Sequence, residues 1–186
     1  YDGILIRSAT KLTSNILADC KNLKVVGRAG VGVDNVDLET ATKNKILVMN
    51  TPLGNLEATA ELTIGLMFSL YRHIHLANQS THDGKWEKSK FMGTELKGKI
   101  LGIVGFGNIG QRVAEMASVI GMNIITNSNS ASDEDLSKLG ASKVSTEQLL
   151  TDSDIISPHT KLNDDTKNML NKTSIATMKS SAVIIN

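Results

Sequence analysis

The chain has 186 residues, of which 40% are hydrophobic and 21% charged, and a formal net charge of +1. That length suits one domain or one and a part, and the near-neutral balance gives no electrostatic footprint for nucleic acid or an anionic membrane. No apolar run approaches the ~20 residues of a membrane span, and the single cysteine, Cys20, cannot close an internal disulfide, which fits a reducing, cytoplasmic setting. The sequence opens on Tyr1 rather than Met and stops at Asn186, directly after the apolar run Ala182–Ile185, so it is expected to be a piece cut at both ends.

In chain order, Gly3–Ile6 predicts a strand, and Thr13 can cap a helix reaching about Asp19. Lys24–Gly27 predicts a second strand, Leu38–Lys43 a short helix capped by Asp37, and Ile46–Met49 a third strand. This alternation implies βαβ units and a parallel sheet. Between the second strand and its helix lies Arg28-Ala29-Gly30-Val31-Gly32-Val33-Asp34. Loops at the carboxyl ends of parallel strands are where open α/β sheets bind ligands, and glycines let backbone N–H groups converge on an anion. A tight turn that uses glycine only for its positive φ is the competing explanation. Arg7 and Ser8 follow the first strand at the same sheet edge; Arg suits a carboxylate or phosphate, with a solvated surface arginine as the alternative.

Asn50–Asn55 is a punctuated loop and the expected domain boundary, giving domains over 1–50 and 51–186. From Glu57 to about Asn78 the apolar residues Leu62, Leu66, Leu70 and Ile74, flanked by Ile64, Met67 and Phe68, predict one long helix with a wide apolar surface. Thr81–Gly98, which holds Trp86, is expected to be a polar loop arm.

The stretch Lys99–Gly121 carries the strongest motif. Ile100–Val104 has the length and composition of a buried parallel strand, and Gly105, Gly107 and Gly110 stand at G-x-G-x-x-G spacing. A helix with Val113, Ala117 and Ile120 on one face follows, closed by Gly121. In a dinucleotide fingerprint the first glycine permits the turn, the second lets the backbone approach a pyrophosphate, and the third lets helix and strand pack closely. The helix N-terminus then faces the phosphates.

Strands are next expected at Met122–Thr126, Ser142–Val144, Asp154–Ser157 and Ala182–Ile185. Helices are expected to open at Asp133, which serves as a cap, after the capping-box pattern Ser145–Gln148, and over Asn171–Met178. The second strand of this unit ends in Thr126-Asn127-Ser128-Asn129-Ser130, without the acid that usually binds ribose hydroxyls and without an Arg or Lys for a 2′-phosphate. His159 and Thr160 sit just beyond a strand at the ligand edge, as cofactor contacts or as loop structure. His73 and His75 diverge on the predicted helix and offer no metal site, and no nucleophile–His–acid arrangement is visible.

Several motifs in register carry a more specific likeness. Arg7-Ser8-Ala9-Thr10, Gly27 through Asp37, Asn50-Thr51-Pro52 with Gly54-Asn55 and Ala60-Glu61, and Gly102 to Gly110 resemble the D-isomer-specific 2-hydroxyacid dehydrogenases, in order. Gly84-Lys85-Trp86 and Lys90–Leu96 look most like that family's phosphoglycerate-oxidising branch. The resemblance implies an α/β fold: a partial flavodoxin-like substrate domain plus a partial Rossmann, doubly wound NAD-binding domain, with substrate and nicotinamide meeting in the cleft between them. It assigns substrate binding to Arg7, Ser8, Gly30, Val31 and Gly32. It assigns cofactor binding to Gly105, Gly107, Asn108, Ile109, Gly110, Ser128, His159 and Thr160.

The implied cofactor is NAD, with NADP left open because Ser128 stands at the family's ribose-binding acid. Lys161 replaces the Pro that usually follows His-Thr. The implied partners are a small 2-hydroxy acid, phosphorylated in that branch, and a second copy of the chain on the long helix, as a homodimer or larger. The family's catalytic Arg, Glu and His would fall beyond Asn186, so the 186 residues are expected to lack turnover. Three alternatives remain: a glyoxylate, hydroxypyruvate or other 2-keto acid reductase, a non-catalytic NAD-sensing regulator of the same fold, and another nicotinamide enzyme sharing only the glycine unit.

Overall fold

Alternating apolar runs and helical patterns fold here into strands that pair only in parallel among the described residues. The computed structural model describes residues 1–161, 163–164 and 166–186. They form two compact units, Tyr1–Leu56 and Glu57–Asn186.

The first unit contains β1 (Gly3–Ile6), α1 (Ser14–Asp19), β2 (Val25–Arg28), α2 (Leu38–Lys43) and β3 (Leu47–Asn50). Its sheet has the order β1-β2-β3, with Ile6, Arg28 and Asn50 in one row. Strand alternation sends Ile4, Ile6, Val26 and Val48 to one face, where they pack with Leu17 and Ala41 of the helices. The opposite face carries the exposed Leu5, Leu47 and Met49. Leu5 lies over Gly27, where a Cβ would come 2.6 Å from Leu5 Cδ2. Asp37 caps α2 as expected, its Oδ1 accepting from the Thr40 N–H at 2.8 Å. Thr13 occupies the cap of α1 without a side-chain bond.

The second unit opens with α3 (Leu56–Tyr71, its first residue belonging to the first unit) and α4 (Ile74–His82). The single long helix expected over Glu57–Asn78 is therefore broken. His73 adopts a left-handed φ of 52°, and the Thr94 N–H donates to the Tyr71 carbonyl at 2.9 Å, the acceptor that a continuing helix would reserve for His75. Gly93 lies so close that a Cβ there would sit 2.3 Å from the Tyr71 oxygen. The returning chain ends the helix. The wide apolar surface of α3 is present: Ala60, Thr63 and Met67 are buried while Leu62, Leu66, Phe68 and Leu70 are exposed. The loop arm after it is shorter than expected, since α4 runs to His82 and a 3₁₀ turn spans Lys88–Phe91.

There follow β4 (Ile100–Val104), α5 (Asn108–Ile120), β5 (Asn123–Thr126), α6 (Asp133–Lys138), β6 (Ala141–Lys143), α7 (Thr146–Asp152), β7 (Ile155–Pro158), α8 (Lys172–Thr177) and β8 (Val183–Ile184). The sheet order is β6-β5-β4-β7-β8. The chain moves outward from β4 to one side and then returns to build the other, which is the doubly wound topology with its switch point between β4 and β7. Leu101, Ile103, Ile124 and Ile155 pack with Val113, Ala114 and Ala117 of α5 in one core layer. Val104 and Ile156 pack with Leu149 and Leu150 of α7 in another.

At the amino ends, Asp154 ties the sheet together. Its Oδ2 accepts from the Ile100 N–H at 2.8 Å and its Oδ1 from Lys179 Nζ at 2.9 Å. Burial alone would raise that carboxyl, but the Ile100 N–H and the Lys179 ammonium outweigh it and hold the group below its ordinary value. Ser132, not the expected Asp133, caps α6: its Oγ accepts from the Asp135 N–H at 3.1 Å, which places Asp133 inside the first turn. No helix among the described residues is long and apolar enough to cross a membrane.

Candidate functional site

The three glycines after β4 have three different surroundings. Gly105 has φ +85°, and a Cβ there would meet the His159 carbonyl oxygen at 2.8 Å and Thr160 Cβ at 2.9 Å. A Cβ on Gly110 would lie 2.3 Å from the Gly105 carbonyl oxygen. Both glycines are therefore required by the protein's own packing. Gly107 differs: nothing lies within 4 Å of the position its Cβ would take, and its φ of −76° is open to any residue.

Gly107 is the N-cap of α5, a helix of 13 residues, and no side chain caps its N–H groups. The first turn, with Asn108, Ile109 and Gly110, thus presents uncapped donors and the positive end of a helix dipole beside open space. An anion that brings its own oxygens fits this cradle, and a pyrophosphate does so by helix N-terminal binding.

His159 and Thr160 form the opposite lip. The His159 N–H donates to the Val104 carbonyl at 2.7 Å, which continues the β4–β7 ladder by one residue and seats the loop against the glycine turn. The imidazole is half-buried, and burial pushes its pKa down to about 4. It is uncharged at neutral pH. Its Nε2 lies 2.9 Å from Ser157 Oγ, and that fully buried hydroxyl also donates to the Ile185 carbonyl at 3.2 Å. Sequence reasoning overlooked Ser157, although alternation on a strand places residues i and i+2 on one face.

Ser128 lies past the end of β5. Its N–H donates to Thr126 Oγ1 at 3.2 Å, and its hydroxyl pairs with that of Ser130 at 3.0 Å. The acid brought toward the start of α5 is Asp135, whose Oδ2 accepts from Ser132 Oγ at 2.7 Å and from Gln111 Nε2 at 3.5 Å. The end of β5 itself presents hydroxyls.

In the first unit, Arg7, Ser8 and the Gly30–Gly32 loop all follow carboxyl ends of parallel strands and so share one sheet edge. Buried Asn35 organises that edge. Its Nδ2 donates to the Arg7 carbonyl at 3.0 Å and to the Thr10 carbonyl at 2.6 Å, while its Oδ1 accepts from Arg28 Nε at 3.4 Å. The Gly30 N–H donates to Thr51 Oγ1 at 2.8 Å, and the Val31 carbonyl accepts from Asn50 Nδ2 at 2.7 Å. The Arg28 guanidinium lies across Gly30, where a Cβ would collide with Nη1 at 1.5 Å. The edge therefore carries a second arginine that the sequence motif alone did not single out. Among the described residues no group of three or more His, Cys, Asp or Glu side chains could hold a metal ion.

Switch-point topology, an open glycine at an uncapped helix start and a packed glycine turn define a dinucleotide-binding α/β protein. Residues 64–186 match the model of the D-isomer specific 2-hydroxyacid dehydrogenase NAD binding domain, and the chain belongs to that family of NAD-dependent oxidoreductases. The whole chain is 43% identical to D-3-phosphoglycerate dehydrogenase of Bacillus subtilis strain 168, covering 35% of that protein. It is 44% identical over 185 residues to a hydroxypyruvate reductase of Thermotoga maritima, covering 60% of it. Among solved structures, D-lactate dehydrogenase from Aquifex aeolicus, complexed with NAD and lactic acid, superposes with a TM-score of 0.90 at 29% identity, over 98% of this chain and 55% of that one. The chain thus spans about a third of the length of the phosphoglycerate dehydrogenase.

Proposed function

We propose that the chain is the cofactor-cradling and substrate-anchoring part of an NAD-dependent oxidoreductase that converts 3-phospho-D-glycerate to 3-phosphohydroxypyruvate, the entry into serine biosynthesis. The observation that carries the cofactor half is Gly107: its α position is uncrowded by protein, at the start of an uncapped helix, between two glycines that packing requires. In this reading Gly105, Gly107, Asn108, Ile109 and Gly110 receive the pyrophosphate, Ser128 lies by the adenosine ribose, and His159 and Thr160 flank the bound dinucleotide. Nicotinamide, when bound, accepts the hydride; the chain's own residues bind and orient.

Arg7, Ser8 and the Gly30-Val31-Gly32 backbone hold the acid and phosphate of the substrate. The two arginines at that edge, Arg7 and Arg28, supply the positive charge a phosphorylated 2-hydroxy acid calls for. The groups that steady the keto oxygen and carry the hydroxyl proton are assigned to the part of such an enzyme that this chain, spanning 35% of the Bacillus subtilis protein, does not cover. The exposed stripe Leu62, Leu66 and Leu70 on α3 supports a second copy of the chain as its partner, and the lone Cys20 supports a cytoplasmic setting.

The likeness to a hydroxypyruvate reductase supports a second reading in which the substrate is an unphosphorylated 2-keto acid. Calorimetric titration of the chain with NADH, and assay of the longer gene product with phosphoglycerate and hydroxypyruvate, test both. Binding of NADH without turnover is expected for the 186 residues, and turnover by the pure chain contradicts the assignment of the catalytic groups. Preference of the longer protein for phosphoglycerate supports the first reading, and preference for hydroxypyruvate the second.

A further inference from the structure

A serine hydroxyl has one proton to give, and Ser157 Oγ has two neighbours within hydrogen-bond distance, His159 Nε2 at 2.9 Å and the Ile185 carbonyl oxygen at 3.2 Å. A carbonyl oxygen only accepts. If the hydroxyl donated to the ring nitrogen, the Ile185 oxygen would face a lone pair inside a fully buried site, at the cost of an unmade buried hydrogen bond. Both contacts are satisfied in one arrangement: the hydroxyl donates to Ile185 and accepts from an Nε2–H. That choice sets the ring. With the proton on Nε2, Nδ1 keeps its lone pair, and Nδ1 makes no hydrogen bond to any described residue.

We infer that Ser157 is a positioning residue that holds His159 in its neutral Nε2–H tautomer, so that Nδ1 stands at the ligand edge as an acceptor for a hydroxyl or amide donor of the bound dinucleotide. This rests on the assignment of His159 to the cofactor site. It gives that residue a different role from an anion anchor or a proton shuttle. A ring whose pKa burial has pushed down to about 4 carries no charge at neutral pH and has little tendency to take a proton there. What it offers is direction: β7 carries Ser157, β8 leads into Ile185, and together they fix which nitrogen faces outward. Two donors share the required chemistry, a ribose hydroxyl and the carboxamide N–H of nicotinamide.

The test is long-range ¹H–¹⁵N correlation spectroscopy on the 186-residue chain labelled at its four histidines, with His159→Gln to assign the signal. At pH 7 the ligand-free protein is expected to show a pyridine-type shift on Nδ1 of His159 and a pyrrole-type shift on Nε2. Ser157→Ala should replace this by averaged shifts on both nitrogens, and Ser157→Thr, which keeps the hydroxyl, should restore the original pattern. Saturating NADH should move Nδ1 upfield and leave Nε2 in place. The same movement with ADP-ribose identifies a ribose hydroxyl as donor, and movement with NADH alone identifies the carboxamide. An Nδ1–H tautomer or an imidazolium in the wild-type protein at pH 7 overturns the proposal without recourse to a variant, as does an unchanged pattern in a folded Ser157→Ala. Amide shifts at Gly107 and Asn108 on adding NADH, with none at Nδ1, overturn the acceptor role while leaving the cofactor site standing. No response at any of them removes the cofactor reading and the acceptor role with it, and the tautomer measurement still reports on Ser157 by itself.

Discussion

A methyl group on Gly110 would lie 2.3 Å from the carbonyl oxygen of Gly105. At this point the start of α5 and the turn that precedes it meet backbone to backbone. Gly110→Ala must push the helix off the turn, and overpacking of this kind costs on the order of 1–3 kcal/mol. A fall in Tm of several degrees in a thermal melt is expected; an unchanged Tm would show that the helix does not sit this close.

Asn35 joins Arg7, Thr10 and Arg28 across the carboxyl edge of the first sheet and is 8% exposed. Asn35→Ala leaves the Thr10 carbonyl without its donor and the Arg7 carbonyl with only the Thr10 N–H at 3.3 Å, a loss of about 1–3 kcal/mol. Denaturant unfolding should report it, accompanied by faster amide exchange over Arg7–Thr10. Exchange unchanged in that segment would mean the loop is held by something else.

On the proposed cofactor reading, Ser128 offers a hydroxyl where ribose binding in related folds uses a carboxylate. Ser128→Asp should tighten NADH about tenfold, the scale of one charge-assisted hydrogen bond, and weaken NADPH by like-charge repulsion. Paired calorimetric titrations with the two cofactors decide. Equal changes for both would place Ser128 away from the ribose.

Burial of His159 gives a pH dependence whose sign is fixed. The folded pKa, about 4, lies below the ordinary 6.5, so between these values the unfolded chain binds a proton that the folded chain does not. Stability therefore falls as pH drops from 6.5 toward 4, by an amount on the order of 3 kcal/mol in full. The carboxyls with lowered values, Glu87 and Asp154, act mainly below that window. His159→Gln should flatten the dependence between pH 6.5 and 5 in urea titrations, and a slope that survives the substitution would assign it to another group.

What the sequence disclosed, and what it hid, divides along local and non-local lines. The five-residue run Ile100–Val104, the glycine spacing and the Gly121 cap are local signals, and each appears in the structure at its expected place. The caps at Asp37 and Ser145 are local as well, since each side chain reaches an N–H within its own first turn, whereas Asn171, expected as the first helical residue, caps α8 from outside it. Ser132 and Asp133 are both good caps, so composition could not choose between them. The break at His73 has no signature in its own neighbourhood, because its cause is Thr94 taking the Tyr71 carbonyl. Strands β2, β3 and β7 each start one residue later than the hydrophobic pattern suggested. Ile46 shows why: it is buried by packing yet precedes the ladder, which begins at Leu47. At the site, Ser157 could have been paired with His159 by strand alternation, but its second partner, the Ile185 carbonyl, lies 28 residues away and emerges only when β8 adds to the sheet.

On the proposed cofactor reading, Gly107 is a glycine for the sake of a ligand and not of the fold. Gly107→Ala places a methyl where no protein atom lies within 4 Å, at a φ of −76° that alanine readily adopts. Its structural cost is the loss of a favoured helix cap, about 1 kcal/mol or less. Isothermal titration of this variant with NADH is the most direct measurement, run beside its thermal melt. A Tm within a few degrees of wild type, together with NADH affinity reduced at least about tenfold, is the predicted result. A variant as stable as wild type that binds NADH with undiminished affinity would contradict it.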